Sequence, residues 1–435
     1  MDSQSNFSHA LNFVNSFSKS GKPVRDLSRI AALLERLGNP HKALRFIHIA
    51  GTNGKGSCAQ MFAEIYTGAS FRTGLSTSPY MIEYADRIRV DGANIPPAAL
   101  ERHAWTVEAA LEADPARGDY SQFEITMAIG LLHFLQRNCE LVVFEAGLGG
   151  LMDSTNVIPP PLLTVITSVS LDHTAILGNT LSEIAAQKAG ILKPGSPCVL
   201  SAGNPADAVN VIAARAEQVG AKLLVPNEKA LTIDRIDLFG TMFSYRGRRY
   251  RTRMTGLHQI TNALTVIEGA ALLSQMHRDL AVSGEQICAG IAKAAVCART
   301  EVLSRDPLVI LDGGHNEGGF AALAAVLQTL GGAPVTVFVG MLSDKNAAQA
   351  LAKLVPLASE FICTDGFYPN AAPKETLCAL IASLGGTARC CGELESELEQ
   401  AITAGKGGGR AFVICGSLYL CAAVRRMALW NGRAE

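Results

Sequence analysis

The chain carries almost no net charge: 38 Lys and Arg stand against 39 Asp and Glu, a formal −1 over 435 residues. Nothing in that balance favours a polyanionic partner, so nucleic acid is not expected to bind. The densest basic run, Arg246 to Arg253, reads as the border of a hairpin with a solvated face. No stretch reaches the ~18 consecutive apolar residues that span a bilayer. The polar segment Met1 to Ser20 has no long apolar core of a secretory signal. The expected setting is therefore the cytoplasm, away from membranes. The 11 cysteines are odd in number, and none forms a CxxC pair. Several, such as Cys198, Cys363 and Cys415, sit in apolar runs. They read as buried reduced thiols, not as a disulfide frame or a zinc site. A short-period repeat is lacking. So is a GxGxxG spacing at the first strand-to-helix turn, which argues against a dinucleotide-dependent dehydrogenase.

What is present is a globular composition, 48% apolar and 18% charged, in a chain too long for one ordinary core. Leu27, Ile30, Leu33, Leu34 and Leu37 recur at helical spacing until Gly38-Asn39-Pro40 stops them. Apolar runs without alternation follow at Phe46 to Ala50, Leu141 to Phe144 and Leu163 to Val169. Such runs suit parallel strands covered on both faces. Helical stretches lie between them, including Leu100 to Glu112 and Ile125 to Gln136, which predicts a doubly wound α/β domain. Thr241 to Tyr245 and Arg249 to Arg253 flank Arg246-Gly247-Arg248 and predict a hairpin. A second α/β series has strands at Leu308 to Leu311, Val335 to Val339, Phe361 to Thr364 and Ala411 to Cys415. Two domains are expected, 1–298 and 299–435.

The strongest chemical signal is Gly51-Thr52-Asn53-Gly54-Lys55-Gly56-Ser57, a glycine-rich turn between an apolar strand and a helix. Glycines let backbone N–H groups curl around phosphate oxygens, and the helix start adds positive partial charge. Lys55 can reach β- and γ-phosphates, and the Ser57 hydroxyl can hold Mg. Gly56 separates lysine from serine, unlike the usual spelling of such loops.

Other strands also end in chemistry, where ligands bind in open α/β sheets. Leu141 to Phe144 leads to Glu145 and the glycines at 147, 149 and 150. Leu163 to Val169 leads to Leu171-Asp172-His173, and Leu308 to Leu311 to Asp312-Gly313-Gly314-His315. Glu145 suits Mg, which prefers carboxylate and phosphate oxygens. His173 reads either as a metal ligand or as a capping or core histidine. Lys188, on a probable helix from Leu181 to Ile191, reads either as a snorkelling surface lysine or as an active-site lysine carbamylated by carbon dioxide.

Together these residues resemble the folylpolyglutamate synthase/dihydrofolate synthase family of the Mur ligase superfamily. The likeness also takes in Ser78-Pro79, Phe123-Glu124, Asp153 to Asn156, Gln187 to Gly190, His258-Gln259, Asn262-Ala263, Asp344-Lys345 and Gly416 to Tyr419. The resemblance implies a phosphate-loop Mur-ligase-like ATPase domain with a parallel sheet, plus a smaller C-terminal Rossmann-like α/β domain. It implies an ATP-dependent ligase working through an acyl phosphate, acting as a monomer on folate or dihydropteroate, L-glutamate and ATP. Lys55 and its neighbouring backbone would bind phosphates. Asn262, Arg299, Asp312 and His315 would contact the nucleotide. Ser57, Ser78, Glu145 and His173 would hold two Mg ions, with carbamylated Lys188 supporting one. Arg25, Asp26, Leu27, Ser28, Phe123, Glu124, Thr126, Met152, Asp153 and Ser154 would line the pterin pocket.

The sequence departs from the family pattern at several points. Tyr80 replaces histidine after Ser78-Pro79, Leu151 replaces arginine after the paired glycines, and Asn370 stands where arginine is common. Val296-Cys297-Ala298 replaces the residues before Arg299, and Gly314 replaces alanine. Leu151 and Asn370 each remove a cation that could meet an anionic substrate. A Mur-type ligase with another carboxylate substrate and a nucleotide-binding homologue without ligase activity are the competing readings. Retention of Lys55, Ser57, Glu145, His173 and Lys188 weighs against the second.

Overall fold

The computed structural model describes residues 3–18 and 26–427. These divide into two compact units. One comprises Met1–Lys229 with Thr261–Lys293, and the other comprises Ala230–Ile260 with Ala294–Glu435.

The first unit is built on β1 (Phe46–Ala50), β2 (Thr73–Ser76), β3 (Ile88–Val90), β4 (Ala93–Asn94), β5 (Leu141–Glu145), β6 (Leu163–Ile166), β7 (Cys198–Leu200) and β8 (Leu223–Leu224). Among the described residues these form one sheet in the order β4-β3-β2-β5-β1-β6-β7-β8. The strands from β2 to β8 in that order are parallel, while β3 and β4 pair antiparallel at one edge. Every residue of β1, β5 and β6 is buried, which is why these strands read as unbroken apolar runs. The antiparallel edge is turned by Asp91 and Gly92, both at positive φ, the preferred chemistry of a two-residue hairpin turn.

Helices Ser28–Arg36, Pro97–Leu111 and Gln122–Gln136 share one apolar cluster with Phe46, Val142 and Phe144. Helices Leu181–Ala189 and Ala206–Gln218 share another with Ala50, Ile166 and Leu200. Helix Gln122–Gln136 is mostly apolar all round, and its polar N-terminus is closed by Ser121, whose hydroxyl accepts the Glu124 N–H.

The second unit has two sheets. A three-stranded antiparallel one joins β9 (Leu231–Asp237), β10 (Gly240–Tyr245) and β11 (Arg248–Thr252). The expected hairpin is β10–β11, turned by Arg246 and Gly247 at positive φ. The other sheet contains β12 (Glu301–Arg305), β13 (Leu308–Asp312), β14 (Val335–Val339), β15 (Glu360–Cys363), β16 (Ala388–Cys390) and β17 (Ala411–Cys415), ordered β12-β13-β17-β14-β15-β16. Among the described residues of this sheet, only β12 runs antiparallel. Among the described residues, no helix is long and apolar enough to cross a membrane.

Candidate active site

The strand-to-helix turn of the first unit is held open by its glycines. A Cβ on Gly51 would lie 1.7 Å from the Thr167 hydroxyl, and one on Gly54 would lie 2.4 Å from Asn262 Oδ1. Gly54 also sits at φ +90°, a conformation few other residues adopt. The segment after β6 stakes the loop in place. The Thr52 N–H donates to the Ser168 carbonyl at 2.6 Å. The Asn53 N–H donates to Ser168 Oγ at 3.1 Å, and the Thr167 hydroxyl donates to the Asn53 carbonyl at 2.7 Å. Helix Lys55–Gly68 then begins, so its first N–H groups lack partners within the helix and point at the loop. Lys55 Nζ donates to the carbonyls of Gly51 and Thr52, at 3.0 and 3.2 Å.

Two residues on, the Ser57 hydroxyl is buried and has no hydrogen-bond partner. A buried hydroxyl left without one costs free energy, which leaves it available to an ion or a water. Glu145, at the end of β5 and 5% exposed, is close by. Its Oε2 accepts the Ser78 N–H at 3.1 Å and would stand 3.8 Å from a Cβ on Gly56.

Lys188 is 2% exposed, which rules out the surface-lysine reading. Burial, together with the nearby Lys55 charge, pulls its ammonium down to about 7, against the opposing pull of Asp172 and Asp153. His173 occupies the cap position of helix Thr174–Leu177, but its side chain makes no capping bond and is 37% exposed. Neither the capping nor the core reading therefore holds. Its ring lies 3.9 Å from Asp172.

Asp153 is buried, which pushes its carboxyl above the usual range, while bonds from Thr155 and the Leu148 N–H pull the other way. Thr155 donates to Asp153 and meets His48 Nε2 at 2.8 Å. The imidazole must therefore supply the proton of that contact. Complete burial holds His48 neutral, its pKa down to about 3.

The expected substrate residues fall into three settings. Phe123 packs on Gly147, where a Cβ would come within 2.9 Å of its ring. Ser154 is buried beside Asp153, whereas Met152 is 43% exposed. Glu124 forms a two-point ion pair with Arg29, at 3.0 and 2.8 Å, and accepts the Ser121 hydroxyl. Thr126 meets the Tyr84 hydroxyl at 2.7 Å. Leu27 packs on the helical core, and Asp26 accepts the Ser28 N–H at 2.8 Å. Arg25 lies outside the described residues. One cation escaped notice in the sequence. Arg87 lies over the rings of Tyr80 and Tyr84, 5.2 and 5.9 Å from their centroids, and its buried Nε has no hydrogen-bond partner. No local motif marks it, because the two rings reach it through a turn.

In the second unit, β13 ends at Asp312, which is buried. Its carboxylate accepts the Thr300 N–H at 2.8 Å, the Thr300 hydroxyl at 3.1 Å and the Gly314 N–H at 2.8 Å. The Gly313 N–H donates to the Ala298 carbonyl at 2.8 Å, which fastens the Arg299 segment to the same loop. His315 Nδ1 donates to the Gly313 carbonyl at 2.9 Å, so Nδ1 is the protonated nitrogen of that contact. His258, from the inserted Ala230–Ile260 segment, is held below its ordinary pKa by burial and by Arg299, with Asp312 opposing.

Two family models match this chain: the Mur ligase middle domain over residues 49–270 and the Mur ligase glutamate ligase domain over 298–418. The fold and the phosphate loop thus define an ATP-dependent ligase of the Mur type. Among characterised relatives, the folylpolyglutamate synthase of Lacticaseibacillus casei is 34% identical, over 98% of this chain and 99% of its own. The dihydrofolate synthase/folylpolyglutamate synthase of Bacillus subtilis is 34% identical, over 92% and 94%. The Mycobacterium tuberculosis folylpolyglutamate synthase complexed with ADP and AMPPCP superposes with a TM-score of 0.86 at 27% identity, covering 98% of both chains. Escherichia coli FolC in complex with DHPP and ADP superposes with a TM-score of 0.83 at 27% identity, covering 96% of both. The chain belongs to the folylpolyglutamate synthase/dihydrofolate synthase family, and it binds ATP.

Proposed function

We propose that this enzyme joins L-glutamate to a folate through an acyl phosphate, and that dihydropteroate is a second acceptor. The observation that carries the reading is that Lys55 and the partnerless Ser57 hydroxyl follow β1, Glu145 ends β5, and buried Lys188, on helix Leu181–Ala189, lies near enough to feel the Lys55 charge. Relatives with both named activities, and the E. coli complex with DHPP and ADP, support the choice of acceptor.

The chemistry follows from what a carboxylate lacks. It is a poor electrophile, because amide formation would have to expel oxide. Transfer of the γ-phosphoryl group of ATP to the acceptor carboxylate releases ADP and creates a good leaving group. The amine of L-glutamate then attacks the acyl carbon, phosphate leaves, and the amine proton passes to solvent or a base. Here Lys55 would exchange its bonds to the Gly51 and Thr52 carbonyls for phosphate oxygens, helped by the N–H groups of Gly54, Lys55, Gly56 and Ser57.

Ser57, Ser78, Glu145 and His173 are the residues that would hold two Mg ions. The donors are mainly oxygen, and one is a buried hydroxyl without a partner. Among the described residues, no group of three or more His, Cys, Asp or Glu side chains forms a metal cage. Mg is usually held by one or two carboxylates plus phosphate oxygens, so a complete protein cage is not required for it. When bound, Mg supplies charge neutralisation on the phosphates.

Lys188 has the property that carbamylation needs, an amine with a substantial neutral fraction near pH 7. It would attack carbon dioxide and lose a proton to become an anionic ligand. Asn262, placed against the loop, and Arg299, Asp312 and His315 are the candidate nucleotide contacts. Phe123, Glu124, Thr126, Met152, Asp153 and Ser154, with Arg25 to Ser28, are the candidate pterin contacts. Glu124 would act there by holding Arg29. A cytoplasmic enzyme is the natural setting for its free thiols, and a monomer is the simplest form in which it would act.

A second reading, another carboxylate as acceptor, is favoured by one observation: Leu151, where the family pattern has arginine, presents exposed apolar surface, as does its neighbour Met152. Measurement of ADP release with ATP, Mg and L-glutamate, adding dihydropteroate or tetrahydrofolate in turn, tests both. Release that needs pterin and glutamate, with a ligated product by mass, is expected. ADP release that ignores both pterins overturns the folate assignment.

A further inference from the structure

The sequence reads its cysteines as scattered buried thiols, but four of them gather at one edge of the second unit. β15 and β16 are neighbouring parallel strands, and Cys363 stands in register with Cys390 near their carboxyl ends. Cys391 follows directly, just past the end of β16, and is buried, while Cys390 is exposed. Helix Lys374–Ser383 packs on β15 and β16 and presents Cys378, which is half-buried. Its sulfur lies 3.4 Å from that of Cys390.

That separation is within sulfur–sulfur contact and short of a bond by little more than 1 Å, since a disulfide spans about 2.0 Å. Closing the pair brings the two sulfurs together by little more than 1 Å. One partner is exposed to solutes and the other stands behind it, the arrangement of an attacking thiol and a resolving thiol. The two belong to different elements, an edge strand and the helix packed on it, so a bond between them would clip the edge of the sheet.

We propose that Cys378 and Cys390 are a dithiol site that low-molecular-weight disulfides oxidise reversibly to an intramolecular disulfide. The Cys390 thiolate attacks one sulfur of oxidised glutathione, forming a mixed disulfide and releasing one glutathione thiolate. The Cys378 thiolate then attacks the Cys390 sulfur, forming the protein disulfide and releasing the second. The protein loses two electrons and two protons, and the glutathione disulfide gains them as two thiols. Contact with Cys378 raises the Cys390 thiol above its ordinary value, so exchange runs faster at mildly alkaline pH.

The bond would tie down the middle of helix Lys374–Ser383, whose start is reached from β15 through residues 364–373. That segment is already tied down where Asn370 accepts the Ser343 N–H and hydroxyl and Ala372 donates to the Met341 carbonyl. Oxidation thus acts on a rigid frame and need not rearrange it.

The test incubates the folded, full-length protein with oxidised glutathione, blocks the remaining thiols by alkylation and maps tryptic peptides. The expected product is a cross-link between the peptide 375–389, holding Cys378, and the peptide 390–406, holding Cys390 and Cys391. It should persist in Cys391→Ser, disappear in Cys390→Ser, and be replaced in Cys378→Ser by a stable glutathione adduct on Cys390. Reduction with dithiothreitol should restore both thiols, and the oxidised form should melt a few degrees higher. A lasting glutathione adduct on Cys390 in the unaltered protein would overturn the proposal. So would pairing through Cys363 or Cys391, or a thiol count unchanged by oxidant.

Discussion

The loops after β1 and β13 both leave a buried parallel strand and both carry charged residues, yet they are finished differently. At Asp312 the protein satisfies itself. One carboxylate collects two N–H groups and a hydroxyl, and His315 is oriented by the Gly313 carbonyl. Around Lys55 the protein leaves work undone. The Ser57 hydroxyl is buried without a partner, and Lys188 is buried where its charge is disfavoured. Groups arranged to suit each other hold a shape; groups left at a cost await a ligand that removes it. On this contrast the first loop is the proposed seat of phosphates and cations, and the second is a loop already satisfied by its own bonds.

The contrast breaks most visibly at Lys55. Lys55→Ala should lower turnover by about 1000-fold, the scale of losing a positioned cation in phosphoryl transfer. The fold should survive, because the lysine bonds only to loop carbonyls. ADP release and circular dichroism measure the two. Near-normal turnover would remove the phosphate-loop assignment.

Lys188 gives the next largest effect and a pH signature. Lys188→Ala should cost about 10- to 100-fold, as loss of a group supporting a metal ligand does, and short carboxylic acids should partly restore activity. The linkage sign is fixed by the depressed pKa. Between about 7 and the ordinary lysine value of 10.5, the unfolded chain binds a proton that the folded chain does not. Stability therefore rises with pH across that window. Comparison of urea midpoints with Lys188→Met should show the unaltered protein gaining from pH 7 to 10, and the variant without that gain. Parallel curves would mean that the amine is not buried as described.

Asp312 sharpens the other side. Asp312→Ala would orphan the Thr300 and Gly314 N–H groups, at about 1–3 kcal/mol for each buried group left unpaired. Asp312→Asn, which keeps one acceptor, should cost less. Urea unfolding of the two variants separates them. Equal stabilities would mean that the loop does not depend on these bonds.

How much of this could be read from the residues depends on the range of the interaction. The phosphate loop was legible because its glycines, lysine and serine are contiguous. β1, β14 and β17 were legible to the residue because both faces are buried. Lys188 and His173 stayed ambiguous in the sequence, since burial comes from chain segments far away. Antiparallel β3, β4, β9 and β12 were missed: they are short or edge strands without a clear apolar run, although Asp91-Gly92 was a usable turn signal. The membership of Ala230–Ile260 in the second unit has no local signature at all. Arg87 was missed because its two tyrosines matter only once the turn has folded.

The smallest predicted effect concerns the rim. Leu151 is 39% exposed, and its N–H is held by the Gln187 carbonyl at 2.7 Å. Its base lies against Gly190, where a Cβ would come within 2.4 Å. The backbone there cannot retreat, so a longer side chain at 151 must extend outward over the exposed surface. Leu151→Arg would therefore offer a solvated cation without disturbing the core. Such a charge contributes about 0.5–1 kcal/mol, roughly two- to fivefold in KM for an anionic acceptor. Salt should erase the gain. KM measured with a pterin substrate at low and high ionic strength decides the point. A lower KM only at low salt puts the acceptor's negative charge beside residue 151. A KM unmoved at low salt puts it elsewhere, and Arg87 becomes the first cation to substitute.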